Sequence, residues 1–595
     1  MLCRGGPGGA TSPAEFLIVV ETPATVCWLP RKNGRSSILS TKAVMSLRRT
    51  RSLILPATVA VALLLSGCTA ESPGASSTPV DGGTLTYASG DAEPTCLDPH
   101  VGGNYPQALL ATQVLESLVS RDSQGAITPW LATSWTLSDD ALTYDFTLRE
   151  GLTFTDGTPL NAEAVAANIA HLQDPATKSS TGYLAVAKVA SVTAVSPTVA
   201  RFTLRAPDSA LLESLAQPWT AIESPAGIAR GEAANCEAPV GTGPFTVSEW
   251  VKQDHVTLTR NDAYDASTGP TGEGHAGPAH LASITWRFIP DSATRYSALQ
   301  AGEVDVIDNA QPETLEAAAG ASDLVELNAP RPGSSNRLEL NSSQAPFDDQ
   351  SVREAFVRGV GVNDAIDSLF FGTAARSYSP LSSREATAYS DAARFKNAGS
   401  DSEVTAAEAL LDAAGWTDSN GDGIREKDGK PLTLRFPVST NQSIPAEQSL
   451  FEQVQASAKV LGFDVQISLL DLSSWYTALG SNEYELVSAP YTKVGPDVLR
   501  ILYSSSGITP APSGYFANHA QVNDPALDSL LEKASATTDE AARAELYQQA
   551  QRIVLEGYWI LPLYDQQNHY LHRSSVRGLV ALDTVSTPWF ANAWA

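Results

Sequence analysis

Histidine, cysteine and paired carboxylates are the side chains here that could do chemistry, and their spacing argues against most of it. His569 and His572 form an HxxH in a strand-like segment. An i, i+3 pair on a strand points to opposite faces, so the two imidazoles do not share one ion. His275 and His280 sit in GEGHAGPAHL, a Gly-rich loop that reads as solvated. Asp418, Asn420 and Asp422 open DSNGDGIREKDG with the spacing of a calcium loop, but position 12 is Gly429 where a bidentate Glu belongs. The segment reads instead as a polar hairpin turn. The adjacent pairs Asp139-Asp140 and Asp348-Asp349 fall in turn or helix-start contexts, where carboxylates cap and solvate. The sequence has no GxSxG, HExxH, CxxC or P-loop motif. No catalytic residue, metal ligand or cofactor is expected.

The N-terminal region speaks of location. From Met45 the chain reads MSLRRTRS, then LILPATVAVALLL, then SGC. Arg48, Arg49 and Arg51 form a basic patch ahead of an apolar run from Leu53 to Leu65. That run is shorter than the roughly 20 residues of a membrane span, and its flanks are those of an export signal. Leu65-Ser66-Gly67-Cys68 resembles the bacterial lipobox, in which the chain is cut before the Cys and a diacylglycerol is attached to its sulfur. Lipidation of Cys68 is therefore predicted, each buried CH₂ contributing about 0.8 kcal/mol of membrane affinity. Met1 and Met45 are the two Met residues, and residues 1–44 lack the charge-then-apolar order, so translation is expected to start at Met45. The Ser-, Pro- and Gly-rich stretch that follows Cys68 reads as a flexible tether.

Eight of the 39 basic residues and two of the 66 acidic ones precede Cys68, which leaves the mature chain at a net charge of −33. Such a surface repels nucleic acid and anionic lipid. With Cys68 acylated, Cys96 and Cys236 remain as an even pair in an oxidising compartment, and a Cys96–Cys236 disulfide is predicted.

The elements that must position any site alternate irregularly. GGTLTYASG (82–90) reads as an opening strand, and Leu142, Tyr144, Phe146 and Leu148 alternate on a second. Asn161 caps a helix over 161–172, and helical spacing recurs at 291–301, 348–360, 403–414, 447–461 and 538–556. Strands are expected at 197–205, 245–259, 282–288, 335–341, 432–437, 464–470 and 560–564. No repeat of 20 to 50 residues is visible, which argues against solenoids and propellers. The fold class is α/β in lobes.

Six blocks then carry a resemblance. LATSWTLSDDALTYDFTLREGLTFTDGTPLNAEAV (131–165), PVGTGPF (239–245), RYSALQAGEVDVID (295–308), PFDDQSVREAF (346–356), AEALLDAAGWTDSNGDGIREKDGKPL (407–432) and ILPLYDQQNHYL (560–571) resemble the peptide/nickel-type extracellular solute-binding family of ABC importers. The resemblance spans the mature chain. It implies the large, three-lobed type II periplasmic-binding-protein fold (cluster C), in which lobes I and III hinge over a ligand and lobe II is an extra lobe. The implied layout is a leader over 1–67, a tether over 68–84, lobe I over 85–118, 217–325 and 562–595, lobe II over 119–216, and lobe III over 326–561. It further implies a monomeric substrate-binding component that captures a small solute (peptide-like, sugar-like or chelate), docks on a permease with separate ATPase subunits, and touches the membrane only through its lipid. The alternative is a secreted lipoprotein hydrolase or a chaperone-like envelope protein on the same fold.

In peptide-binding members a lobe III Asp, four residues before a Pro, pairs with the peptide amine, and a Trp three residues earlier stacks on the ligand. Alignment on Pro496 puts Thr492 and Ala489 at those positions, with Tyr491 beside them and Asp497 as a substitute across the proline. A buried ammonium without a carboxylate is disfavoured, so an ordinary free-amine peptide is not the expected ligand. Further ligand contacts are expected from Ser89 and Gly90 after the first strand, Trp219, Asn336 and Arg337 before LELN, Tyr378 before Pro380, and Trp475 and Tyr476 in DLSSWY.

Overall fold

The computed structural model describes residues 78–595 apart from 273, 489, 490, 492 and 494. Cys68, Ala489 and Thr492 lie outside the described residues. No described helix is long and apolar enough to cross a membrane.

Three sheets organise three separate cores. The opening strand Thr84–Ser89 lies inside a seven-stranded mixed sheet, parallel to both Ser283–Phe288 and Val306–Ile307. The sheet continues through the hairpin of His255–Arg260 and Phe245–Val251 on one side. On the other, Gln567–Arg573 and then Leu324–Pro330 complete it. Alternation places Leu85 and Tyr87 on one face, where Tyr87 stacks on Trp286 at 3.9 Å and meets Phe590 edge-on at 5.8 Å. The single strand expected over 245–259 is thus two strands, because Gln253 takes a left-handed φ of 65° and turns the chain back.

The second core lies under a four-stranded antiparallel sheet in the order Ala132–Leu137, Thr143–Leu148, Val199–Leu204, Val189–Ser196. Phe146 and Phe202 meet edge-to-face at 5.1 Å, and the helix Ala162–Gln173, capped by Asn161, buries Val165, Ile169 and Leu172 against them.

The third core is the largest. Asn336–Leu340 pairs with Leu486–Ser488 and Ile560–Tyr564, and Thr433–Ser439 runs parallel to Asp464–Leu470. Helices Gln350–Gly359, Pro445–Val460, Pro525–Ala536 and Glu540–Glu556 enclose it. Residues 418–431 form a polar turn closed by the strands Glu426–Lys427 and Lys430–Pro431.

Two short segments join the first and third sheets. The chain leaves Leu324–Pro330 and re-enters as Asn336–Leu340, then leaves Ile560–Tyr564 and returns as Gln567–Arg573. The crossings run side by side, with Arg331 N donating to Gln566 O at 2.9 Å. Gly333, on the first crossing, has φ +86°, and a Cβ there would lie 2.1 Å from Lys493 O. Gly333→Ala is expected to destabilise the protein by about 2 kcal/mol or more through backbone strain and this collision, measured as a fall in the urea midpoint.

A disulfide joins Cys96 to Cys236 across 140 residues, and Leu97 N donates to Cys236 O beside it. Replacing both cysteines by Ser is expected to cost about 2–5 kcal/mol of stability. Two free thiols per unreduced, denatured chain would contradict the bridge.

Candidate ligand-binding cleft

Between the first and third sheets lies a cavity of about 810 Å³. This is within the roughly 300–1,000 Å³ of small-ligand sites. Its walls come from three places. The end of the opening strand supplies Gly90 and Asp91, and the start of helix Tyr105–Val114 supplies Asn104 and Tyr105. Asn104 caps that helix through Gln107 N at 3.1 Å, which fixes the loop before it. Opposite them, helix Leu472–Gly480 presents Tyr476, and the loop 513–516 presents Tyr515 and Phe516. Tyr476 and Tyr515 meet perpendicularly at 5.9 Å and form an aromatic wall. The crossings contribute Arg331 and Gln566 at the back, beside Tyr564 at the end of its strand.

The charged groups divide into used and unused. Arg331 lays its guanidinium 3.9 Å over the Tyr105 ring, and its Nε makes no hydrogen bond. Gln311 Oε1 and Gln567 Oε1, in the same wall, also lack partners. Glu447 is already committed, accepting from Asn336 Nδ2, Tyr564 Oη and Ile444 N. Asp91 accepts from Asn309 Nδ2 at 3.0 Å. Burial first, and then the Asp308 carboxylate, push the Asp91 carboxyl up to about 7, against the pull of Arg331.

Of the expected contacts, Gly90, Trp219, Tyr476 and Tyr491 line the cavity. Trp219 donates Nε1 to Asn104 O at 3.1 Å, which ties the wall to the capping loop. The other described residues stand elsewhere, each for a local reason. Ser89 is buried and donates to Asp308 Oδ2 at 2.7 Å. Asn336 holds Glu447 and Tyr564 from behind. Arg337 is fully buried and ion-paired with Glu339, with Nη1 donating to Ser334 Oγ and Ser335 O. Tyr378 lies under the Arg376 guanidinium at 4.7 Å. Trp475 packs with Leu479, Tyr484 and Val487 and donates to Pro437 O. Asp497, the expected substitute for the amine-binding carboxylate, is buried against Arg500 at 2.8 Å, Lys493 at 3.8 Å and Tyr547 Oη at 3.2 Å. It is spent on those partners and is not part of the cavity wall.

Arg331, Asp91, Tyr105, Tyr515 and Phe516 were not anticipated. Arg331 follows a strand in APRPG, and a charged residue beside prolines between two strands was the signal that could have found it. The histidine loop also differs from expectation. His275 and His280 are half-buried and stacked at 3.8 Å, with His280 Nδ1 2.6 Å from Asp81 and His275 Nε2 2.8 Å from Pro278 O. His569 lines the cavity and meets Glu326 at 2.8 Å, while His572 Nδ1 turns to Arg573 O.

With this geometry in place, similarities to known proteins acquire meaning. A family model for bacterial extracellular solute-binding proteins, family 5 Middle, matches residues 126–513. The nickel-binding periplasmic protein of Escherichia coli strain K12 is 29% identical over 76% of this chain and 83% of its own. The glutathione-binding protein GsiB of the same strain is 28% identical over 81% of this chain and 89% of its own. Among solved structures, NikA from Brucella suis in complex with Fe(III)-EDTA is 26% identical with a TM-score of 0.71, covering 86% of this chain and 99% of that one. DppA from Helicobacter pylori in complex with the peptide STSA has a TM-score of 0.72 at 24% identity, with the same coverage.

The Asp91 carboxyl makes a pH prediction. The unfolded chain releases this proton near its ordinary value of 3.8 and the folded protein near 7. Between these values the folded state binds more protons, so the stability contributed by protonated Asp91 is lost as pH rises from about 4 to about 7. Asp91→Asn is therefore expected to gain stability relative to wild type on moving from about pH 5 to about pH 8, read by urea titration. An unchanged difference would refute the raised carboxyl.

Proposed function

The chain belongs to the bacterial extracellular solute-binding proteins of family 5, and from that premise we propose that it captures a small carboxylate-bearing solute between its lobes. The carrying observation is Arg331, a guanidinium with an unused N–H, backed by the Tyr105 ring and set in the wall of an 810 Å³ cavity. Burying such a donor without a partner is costly, and a carboxylate repays it with a charge-assisted hydrogen bond. Glutathione, peptides and EDTA, named with the relatives, all carry carboxylates. The aromatic wall of Tyr476, Tyr515 and Phe516 would cover the solute's apolar body.

The protein is the extracytoplasmic substrate-binding component of an ABC importer. In our reading the lobes close about the crossings 331–335 and 565–566, exclude water and hold the solute, which is later released unaltered to the permease. The family 5 relatives are named as binding proteins. We propose that Cys68 carries a lipid and that 68–84 tethers the domain to the cell membrane as a monomer. We propose lobes over the sequence ranges given above, with the three cores as their support.

Asp497 is committed to Arg500 and Lys493, so the ligand's anchor is its anionic end. Native mass spectrometry of the purified protein should reveal a retained acidic solute, and its release should leave its mass unchanged. Arg331→Ala is expected to weaken binding of that solute by about 10- to 100-fold (about 1.5–3 kcal/mol for a hydrogen bond to a charged group). Titration calorimetry with the recovered solute measures this, and small-angle scattering should register compaction on binding. A solute that emerges chemically altered, or whose affinity is unchanged in Arg331→Ala, would overturn the reading.

A further inference from the structure

Away from the cleft, beside the Cys96–Cys236 bridge, two imidazoles and a carboxylate converge. Asp98, His100 and His171 each bring a ligand atom within 4.8 Å of the others. None of the three lines the cavity. Asp98 and His100 are buried on the segment that follows the opening strand, and His171 is in the last turn of helix Ala162–Gln173, its side chain 21% exposed.

The hydrogen bonds assign the protons. His100 Nε2 is 2.8 Å from Ala221 O, a pure acceptor, so Nε2 carries the proton. His100 Nδ1 is then a lone pair, fully buried and without a partner. Thr177 Oγ1 spends its proton on His171 O at 2.6 Å, so it accepts from His171 Nδ1 at 3.1 Å. His171 Nε2 makes no hydrogen bond and lies 3.6 Å from Asp98 Oδ2; in neutral His171 it is a second lone pair. With His171 neutral, two imidazole lone pairs and a carboxylate oxygen converge, and either a metal cation or a second proton on His171 satisfies them. Asp98 is held in place by the backbone N–H of His100 at 2.8 Å and by Asn235 Nδ2 at 2.9 Å, and Asn235 in turn reaches Glu223 Oε2. Such outer hydrogen bonds orient metal ligands.

We infer that Asp98, His100 and His171 bind one divalent transition-metal ion of the zinc class, which staples the helix Ala162–Gln173 to the segment carrying the disulfide. Two imidazoles and one carboxylate suit Zn²⁺ with a water in the fourth position. Bonds of about 2.0–2.1 Å require less than about 1 Å of movement per donor. The exposed edge of His171 gives the ion its route in.

The test uses the untagged mature chain with its disulfide intact, stripped of metal by chelation. Calorimetric titration with ZnCl₂ should give one equivalent, and Co²⁺ in its place should show the visible absorption of a four-coordinate ion. His171→Gln should weaken zinc binding at least about tenfold, and Arg331→Ala, in the cleft, should leave it unchanged. X-ray absorption of the zinc-loaded wild type provides a readout that does not depend on the variant folding, and should report two imidazoles. Failure of the stripped protein to bind zinc, equal binding by His171→Gln, loss of binding in Arg331→Ala, or a zinc shell without imidazole would each overturn the inference. A protonated His171 paired with Asp98 would then account for the cluster.

Discussion

The chain passes between its first and third sheets twice, at 331–335 and at 565–566, and the crossings are hydrogen-bonded to each other. Because they lie side by side, relative rotation of the sheets needs dihedral changes in a handful of residues while both cores stay packed. The same residues are part of the cavity wall. Arg331 sits on one crossing and Gln566 on the other, so a ligand that engages them acts on the pivot itself. On the function proposed above, recognition and closure are one event in one place.

A buried ion pair is tied to the first crossing. Arg121 grips Glu385 with both Nη atoms at 3.2 and 3.0 Å, and Glu385 also accepts from Gly333 N and Gly495 N. Both side chains are nearly fully buried. A buried pair roughly offsets its own desolvation, so its net contribution is small while the cost of mispairing is large.

Periodicity made the elements legible, and the family resemblance made the fold class legible. Alternation in GGTLTYASG marked the central strand, and Asn161 marked its helix to within a residue. The cleft was harder because its wall assembles from segments hundreds of residues apart. Arg337 and Arg331 show why. Both are arginines of one stretch, but Arg337 lies inside a strand whose residues are all buried and must pair with Glu339, whereas Arg331 lies on the irregular segment before it and reaches the cavity. A single sequence does not reveal which side of a strand's first residue a charge will serve. Asp497 was misplaced for a similar reason, since Lys493, four residues before it, and Arg500, three after it, claim it first.

The first sheet carries its own schedule. Gln567–Arg573 lies between Val306–Ile307 and Leu324–Pro330, and Phe590 packs on Tyr87 and Trp286 from the opposite end of the sequence. Until these final residues emerge from the ribosome, the opening strand cannot complete its surroundings, and the sheet's long-range pairings must wait. An unfinished chain of this kind leaves the Tyr87 and Trp286 rings without the cover of Phe590 until its last segment arrives.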